Sequence, residues 1–301
     1  MSSRVALVVN PTSGKGRGAA VGREVAGLLA VAGHEVEDLT GPTAEAAEKL
    51  AREAVDAGVD ALVVVGGDGV VHLGLQAVAG TGTPLGVVAA GSGNDVARAL
   101  GLPLHDASSA VTAVEAGLRG AGRAVDAVRW VSAGGEQGWY AAVLAAGFDA
   151  VVNERANQWT RPRGRLRYNL AIARELPVFR PRPYRLELDG ELLEVDAMLV
   201  AVANAPSYGG GMRIAPDARV DDGLLDVVVL EPVGTLEFVR LYPRVYSGRH
   251  VEHPRVSVRR ARVVRVESPG IVGYADGERL AALPLVCEAV PRAVRVLAPD
   301  A

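Results

Sequence analysis

The sequence predicts a two-domain protein, with a doubly wound α/β domain followed by a mostly β domain. Over the first ~120 residues, short apolar runs alternate with segments of helical apolar spacing, the order expected of a parallel sheet covered by helices. Glycine-rich turns follow three of these runs, at the strand ends where doubly wound folds bind ligands. From about Arg123 the runs become β-type and are joined by Gly, Pro and Asp turns. We therefore predict domains at residues 1–122 and 123–301.

The first domain shows a repeated order of strand, turn and helix. Ala61–Val65 is a continuous apolar run, typical of a strand buried on both faces of a parallel sheet. Thr43 is the predicted N-cap of its helix, without the glutamate three residues later that a full capping box needs. The predicted strands are Arg4–Val9, Glu35–Leu39, Ala61–Val65 and Pro84–Ala89, and the helices are Gly18–Ala32, Thr43–Ala57, Val70–Ala79 and one after Asp95.

The second domain is predicted from β-type runs, with a helix at Leu166–Leu176. Whether the last run returns to the first domain is left open by the sequence. The predicted strands are Ala124–Val131, Trp139–Ala145, Tyr184–Leu188, Leu192–Ala203, Leu225–Leu230, Val256–Val266, Ile271–Ala275 and Ala293–Leu297.

Composition places the chain among globular proteins, since 49% of its 301 residues are hydrophobic and 22% are charged. Cys287 is the only cysteine, which excludes an intrachain disulfide and agrees with a reducing compartment. The longest apolar run, Trp139–Ala146, has eight residues, against the ~20 that a membrane-spanning helix needs. Because no secretory signal is recognisable before Asn10, we expect a cytoplasmic protein.

The segment Arg155–Arg185 has nine arginines and one glutamate, Glu175, a net charge of +8. Basic residues near an anionic membrane each contribute about 1 kcal/mol to binding. Aromatic residues are interleaved with the arginines. The segment is therefore a candidate for membrane docking, with a solvated helix face as the alternative interpretation.

The Gly66–Gly69 turn, Gly-Gly-Asp-Gly, follows a buried strand and opens a helix. Backbone N–H groups and the helix dipole at such a turn favour a phosphate. The Asp68 carboxylate would repel that phosphate unless a divalent cation or water lies between them, which indicates a magnesium nucleotide. A second turn, Gly91–Asp95, adds donors from Ser92 and Asn94. Neither the Walker pattern nor the dinucleotide fingerprint is present around Asn10–Gly18.

Several motifs, in order and spacing, resemble the catalytic-domain signature of the diacylglycerol kinase family, which includes bacterial lipid kinases and sphingosine kinases. They are Asn10-Pro11-Thr12-Ser13-Gly14, Gly66–Gly69, Pro84-Leu85-Gly86 and Gly91-Ser92-Gly93-Asn94-Asp95-Val96-Ala97-Arg98. The resemblance continues through Gly209–Gly211, Ala215–Ala218, Asp221–Asp226 and Asp276-Gly277-Glu278, and so covers nearly the whole chain.

The resemblance implies a two-domain lipid kinase with an NAD-kinase-like α/β nucleotide domain, a lipid-binding β-sandwich and an active site in the cleft between them. Asp276 or Glu278 would be the general base, with Asp68 also in the catalytic set, and Arg219, Asp222 and Leu224 would form a structural magnesium site. ATP would be held by Asn10, Pro11, Thr12, Ser13, Gly14, Thr40, Gly66, Gly67, Asp68, Gly69, Val70, Val71, His72, Ser92, Gly93, Asn94 and Asp95.

These residues suit phosphoryl transfer, whose one proton-transfer task is to take the proton of the acceptor hydroxyl. Asp276-Gly277-Glu278 brings two carboxylates to one turn, although a solvated β-turn is the alternative. Val70 and Leu73 depart from the family pattern, which has threonine and glutamate there, so two polar contacts are lost. Ser92 in place of the usual threonine keeps the hydroxyl.

We therefore expect an enzyme that transfers the γ-phosphoryl group of ATP, with Mg²⁺, to a hydroxyl of diacylglycerol or a related lipid. The alternatives are an NAD-kinase-like enzyme and a nucleotide-binding membrane sensor without turnover. The expected partners are ATP and a lipid at a membrane surface, with a homodimer as an alternative to a monomer and no nucleic acid. The expected location is the cytoplasm, with peripheral attachment to the inner face of the membrane.

Overall fold

The computed structural model describes residues 2–120, 122–159, 161 and 165–298. The chain divides into two compact units. The first unit consists of Met1–Ala127, Val220–Asp222 and Val290–Ala301, and the second of Val128–Arg219 and Gly223–Ala289. The chain therefore leaves the first unit after Ala127 and returns to it twice, and its last segment belongs to the first unit.

The first unit is a parallel sheet with helices between its strands. The strands run in the order β2-β1-β3-β4, and the end of the last strand, β16 (Leu285–Val296), pairs with β4 in parallel, Val296 beside Leu85. The strands are β1 (Arg4–Val9), β2 (Glu35–Asp38), β3 (Ala61–Gly66) and β4 (Leu85–Ala89). The helices are a single turn α1 (Ser13–Gly16), then α2 (Gly18–Val31), α3 (Ala44–Asp56), α4 (Asp68–Val78), α5 (Asp95–Ala99) and α6 (Ala107–Arg119).

Local sequence features of the first unit produce the structure that they predict. Every residue of Ala61–Val65 is fully buried in β3, as the continuous apolar run predicted. The Thr43 hydroxyl accepts a hydrogen bond from the Ala46 N–H at 3.2 Å and caps α3. Both predictions are confirmed, since the apolar run and the cap can each be recognised from a short stretch of sequence.

The second unit is a β-sandwich. One layer has the strand order β12-β11-β10-β7-β14-β15, and the other contains β13, β8, β9, β5, β6 and the first part of β16. One hydrophobic core joins them, with Leu144 and Val227 from the first layer and Leu186 and Val264 from the second. The strands are β5 (Arg123–Ser132), β6 (Gln137–Tyr140), β7 (Val143–Gly147), β8 (Arg182–Leu188), β9 (Glu191–Ala197), β10 (Leu199–Ala203), β11 (Leu225–Leu230), β12 (Val256–Ala261), β13 (Val263–Glu267), β14 (Val272–Ala275), β15 (Glu278–Ala282) and β16 (Leu285–Val296).

Three of the predicted strands are each two strands in the structure. Trp139–Ala145, Leu192–Ala203 and Val256–Val266 are broken between β6 and β7, β9 and β10, and β12 and β13. At each break the chain passes from one sheet of the sandwich to the other. Both sheets bury one face in the same core, so the apolar pattern continues through the point where the chain changes sheet. The break between the two strands therefore cannot be recognised in the sequence.

The second unit also contains helices. Helix α8 (Arg165–Glu175) confirms the predicted one, whereas α7 (Phe148–Asn157) and α9 (Thr235–Leu241) were not predicted. Two 3₁₀ turns, Tyr242–Ser247 and Arg249–Glu252, follow α9. No helix in the described part of the chain is both long and apolar enough to cross a bilayer.

Candidate active site

In the first unit, the two predicted phosphate turns meet through their glycines. A Cβ placed on Gly91 would collide with the Gly67 Cα, and one placed on Gly67 would lie 3.2 Å from the Gly91 Cα, so the two turns touch at a point with no room for a side chain on Gly91. The Asn94 side chain closes the second turn, because its Oδ1 accepts from the Gly91 N–H at 3.0 Å and its Nδ2 donates to the Gly91 carbonyl at 2.9 Å. Asn94 adopts a left-handed conformation with φ 57°. The structure therefore brings together two turns that are separated in sequence.

Asp68 connects these two turns. Its Oδ1 accepts a hydrogen bond from the Val96 N–H at 3.1 Å, at the start of α5. A Cβ on Gly93 would lie 2.7 Å from the Asp68 Oδ2, so a larger residue there would displace this carboxylate. Asp95, at the start of α5, is 4% exposed. Asp68 thus has a structural function, and its catalytic role stays a prediction.

The Asn10–Gly18 loop lies against the same strand ends. Asn10 Oδ1 accepts from the Thr12 N–H at 3.1 Å and from the Thr12 hydroxyl at 2.9 Å. Gly14 has φ 58°, and a Cβ there would collide with the Ala90 carbonyl. The Ser13 hydroxyl is buried and has no hydrogen-bond partner among the described residues. A phosphate oxygen can accept from such a hydroxyl, so these residues fit ATP.

The remaining predicted nucleotide residues differ in what their side chains offer. Thr40 Oγ1 accepts from the Val9 N–H at 3.1 Å and holds the end of β1. His72 Nε2 lies 3.3 Å from Gln76 Nε2 on the next turn of α4. Val70 and Leu73 are 5% and 7% exposed, so the two residues that depart from the family pattern pack inside the protein. Burial suits valine and leucine, since a threonine or glutamate buried there would need a polar partner.

In the second unit, the structure distinguishes the two candidate bases. Asp276 and Gly277 form the tight turn between β14 and β15, with φ 53° and 89°. Both Asp276 carboxylate oxygens are engaged: Oδ2 accepts from the Ala141 N–H at 2.7 Å, and Oδ1 from the Ala142 N–H at 2.9 Å. Glu278 is exposed, and among the described residues its carboxylate has no partner. Asp276 therefore holds the turn, while Glu278 is available to a substrate.

Sequence analysis missed Glu154, which lies beside this hairpin on α7. Its Oε1 accepts from the Tyr274 hydroxyl at 2.6 Å and from the Arg279 Nε at 2.8 Å. The Tyr274 hydrogen bond, with a smaller contribution from Arg279, lowers the pKa of Glu154. Burial, with the Glu154 hydrogen bond, raises the pKa of Tyr274 to about 12. The partners are more than 100 residues apart in sequence, so no local signal could have identified the cluster.

Sequence analysis also missed a second carboxyl group in this unit, Asp149. Its Oδ2 accepts from the Tyr208 hydroxyl at 2.9 Å, and its Oδ1 accepts from the Ala150 N–H at 2.9 Å. Burial raises the pKa of Asp149 to about 6, against the lowering effect of the Tyr208 hydrogen bond. Asp149 therefore titrates in a range that is unusual for an aspartate.

The residues of the expected magnesium site are divided between the two units. Asp222 belongs to the first unit, whereas Arg219 and Leu224 belong to the second. Asp221 forms an ion pair with Arg123 at 3.4 Å. Among the described residues, no group of three or more His, Cys, Asp and Glu side chains could hold a metal ion. The Asp222 carboxylate and backbone carbonyls are hard oxygen ligands that fit magnesium chemically.

The sequence matches two known domain families. Residues 4–130 match the diacylglycerol kinase catalytic domain, and residues 142–298 match the YegS C-terminal NAD kinase beta sandwich-like domain. A protein of Mycobacterium tuberculosis (strain H37Rv) named diacylglycerol kinase is 41% identical over 98% of this chain and 95% of its own. One of the same name from Bacillus subtilis (strain 168) is 29% identical over 87% of this chain and 85% of its own.

Solved structures share the whole fold. A crystal structure from Bacillus anthracis strain Sterne superposes with a TM-score of 0.78 at 22% identity, covering 99% of this chain and 98% of its own. Another from that strain, described as a diacylglycerol kinase, has a TM-score of 0.71 at 21% identity and covers 99% and 97%. The predicted fold class, an α/β domain with a β-sandwich domain, is confirmed. Since the domain families match both halves and the Mycobacterium relative aligns along nearly the whole length, this chain belongs to the diacylglycerol kinase family.

Proposed function

We propose that this protein is an ATP-dependent lipid kinase that transfers the γ-phosphoryl group of ATP to a hydroxyl of diacylglycerol or a related lipid. The observation that carries this proposal is the exposed Glu278 carboxylate, which has no partner among the described residues and follows the turn that Asp276 holds. Such a carboxylate can accept the proton of an alcohol. The name of the Mycobacterium and Bacillus relatives supports diacylglycerol as the acceptor.

Nucleotide binding is assigned to the first unit. In this assignment the start of α4 after the first glycine turn would supply backbone N–H groups to the phosphates, and the Ser13 hydroxyl, which has no partner among the described residues, would donate to a phosphate oxygen. Thr40 and His72 complete the proposed set from elsewhere in the unit. Bound Mg²⁺ would neutralise charge on the phosphates, with Asp68 as the acidic residue that would hold it there and Asp222 as the carboxylate of a structural magnesium site.

In the proposed reaction, Glu278 accepts the hydroxyl proton as the lipid oxygen forms its bond to the γ-phosphorus. The bond between the γ-phosphorus and the bridging oxygen breaks, and ADP leaves. Asp276 takes no proton in this scheme. Its two short hydrogen bonds to backbone N–H groups give it a positioning function instead.

We propose that the protein binds its lipid acceptor at the anionic surface of the inner face of the membrane. In the second unit, α8 and the residues after it expose Leu166 (57%), Leu170 (45%) and Val178 (66%) among arginines. Arg155 is excluded from this surface because its Nε pairs with Glu175 at 2.6 Å, whereas Arg174 lies 4.0 Å from the same carboxylate and its side chain is 64% exposed. Exposed apolar and basic side chains together are typical of interfacial helices.

Membrane docking is tested by vesicle cosedimentation of a variant with Arg167, Arg174, Arg180 and Arg182 changed to Gln. We expect its binding to vesicles rich in anionic lipid to fall at least tenfold, while a control with Arg129, Arg255, Arg259 and Arg265 changed to Gln, which all pair with glutamates, has little effect. Unchanged binding of the fourfold variant would reject this surface.

The kinase activity is tested by transfer of labelled phosphate from ATP with Mg²⁺ to diacylglycerol, sphingosine, phosphatidylglycerol and NAD in mixed micelles. We expect transfer to a lipid that Glu278→Gln abolishes. Transfer to NAD alone would reject the lipid assignment. ATP binding without transfer to any acceptor would favour a nucleotide-binding regulator.

A further inference from the structure

The β14–β15 hairpin, which bears Asp276 and Glu278, is held from two sides within the second unit. Asp276 binds the chain between β6 and β7 through the Ala141 and Ala142 N–H groups. On α7, Glu154 binds the hairpin through Tyr274 and Arg279, which form a cross-strand pair. A single carboxylate oxygen of Glu154 therefore binds both strands of the hairpin, at two residues that lie opposite each other.

The position of Glu278 relative to these two hydrogen bonds follows from strand geometry. Glu278 pairs with Ala275, one residue from the Tyr274–Arg279 pair toward the turn. Successive side chains of a strand lie on opposite faces, so Arg279 and Tyr274 are bound on one face while Glu278 extends from the other. Glu154 can thus fix the hairpin without occupying the space in front of the Glu278 carboxylate.

We infer that Glu154 is a positioning residue that orients Glu278 for proton acceptance, acting through Tyr274 and Arg279. This inference rests on the proposed kinase function. Tyr274 is 2% exposed, so its ring is fixed in the core and its hydroxyl is a rigid point of attachment. The Arg279 and Glu154 side chains are 55% and 37% exposed, and ion pairs with that exposure contribute little to global stability.

The expected effect of losing Glu154 is therefore on catalysis more than on folding. A catalytic group that is displaced by about 1 Å can lose up to about a hundredfold in rate. We expect Glu154→Ala to lower kcat at least about tenfold, with KM for ATP within about twofold of wild type, since nucleotide binding is assigned to the other unit. Glu154→Gln keeps an oxygen that accepts both hydrogen bonds, and should retain most of the kcat.

The experiment compares wild type, Glu154→Ala, Glu154→Gln and the control Glu191→Gln by steady-state kinetics and by amide hydrogen exchange of the peptide spanning residues 272–282. Glu191 pairs with Arg259 at 3.2 Å in the same unit and is also exposed, so its variant should match wild type in both measurements. In Glu154→Ala we expect faster exchange in this peptide together with the lower kcat.

Wild-type kcat in Glu154→Ala, or unchanged exchange in that variant, would overturn the positioning function. An equal loss of kcat in Glu154→Gln would also contradict it, because the hydrogen bonds would then not be what matters. If the wild-type protein transfers phosphate to no acceptor, the proposed function fails, and the exchange measurement alone still decides whether Glu154 holds the hairpin.

Discussion

The Asp68 carboxylate accepts a hydrogen bond from the Val96 N–H at 3.1 Å, which links the start of α4 to the start of α5. Asp68 and Val96 are 28 residues apart in sequence. They come together because the parallel strands β3 and β4, whose ends carry the two glycine turns, pair side by side. An aspartate in the first phosphate turn thus satisfies an N–H group that the first turn of a helix leaves without an intrahelical partner. The same carboxylate is proposed to serve phosphoryl transfer.

Replacing Asp68 separates these two functions. Asp68→Asn keeps an oxygen that can accept from Val96, so we expect near wild-type stability but a large loss of kcat. Asp68→Ala removes the hydrogen bond as well, and should lower the free energy of unfolding by about 1–2 kcal/mol. Urea denaturation of the three proteins measures the difference. Equal unfolding free energies for all three would contradict the capping function.

Glu278 and Asp276 should respond differently to loss of charge. Glu278→Gln should lower kcat by about 10²–10⁴-fold without changing the melting temperature, because the side chain is exposed and has no partner among the described residues. Asp276→Asn has one acceptor oxygen for two N–H groups, so the free energy of unfolding should fall by about 1.5–3 kcal/mol. Thermal denaturation measures the stability of both variants, and phosphate transfer measures their kcat. A destabilised Glu278→Gln beside a fully stable Asp276→Asn would reverse the assignment.

The contact between the two glycine turns predicts strong intolerance of substitution at Gly91. A Cβ there would lie 2.9 Å from the Gly67 N and 2.8 Å from the Asn94 Oδ1, so Gly91→Ala should lower the free energy of unfolding by at least about 2 kcal/mol and weaken ATP binding. Gly27 in α2 is the matched control, since a Cβ there meets nothing within 4 Å. Gly27→Ala should stabilise the protein by about 0.5–1 kcal/mol. Calorimetric melting and ATP titration provide the two measurements, and tight ATP binding by Gly91→Ala would argue against the proposed site.

The Asp149 carboxyl group should make stability depend on pH. Its pKa is raised from 3.8 to about 6 by burial, so between these values the folded state binds more protons than the unfolded state. The protonated Asp149 carboxyl group therefore makes its full contribution to the free energy of unfolding below about pH 4. This contribution is lost as the pH rises through about 6. Asp149→Asn should abolish this dependence, and at pH 7 should recover about 3 kcal/mol if the amide keeps the Tyr208 hydrogen bond. The measurement is the difference in unfolding free energy between the two proteins from pH 4 to 8. A difference that does not change with pH would refute the prediction.

Much of the first unit and of its candidate site was determined by the sequence alone. The apolar run of Ala61–Val65 that predicts its burial, the Thr43 cap and the placement of glycine turns after strands can each be recognised from residues that are close in sequence. Family membership also followed from ordered local motifs. Short-range hydrogen bonding and the steric freedom of glycine act the same way wherever the segment lies, so such features can be recognised from the chain itself.

Only the tertiary structure decided which carboxylates are engaged and where the strands of the sandwich break. Asp276 and Glu278 are equivalent in the sequence, and they differ because Ala141 and Ala142, about 135 residues away, present their N–H groups to Asp276 alone. Glu154 and Asp149 gained their partners in the same way, across 120 and 59 residues. These contacts arise from the packing of strands and helices that are distant along the chain, and the energy of a buried polar group depends on the neighbours that packing supplies.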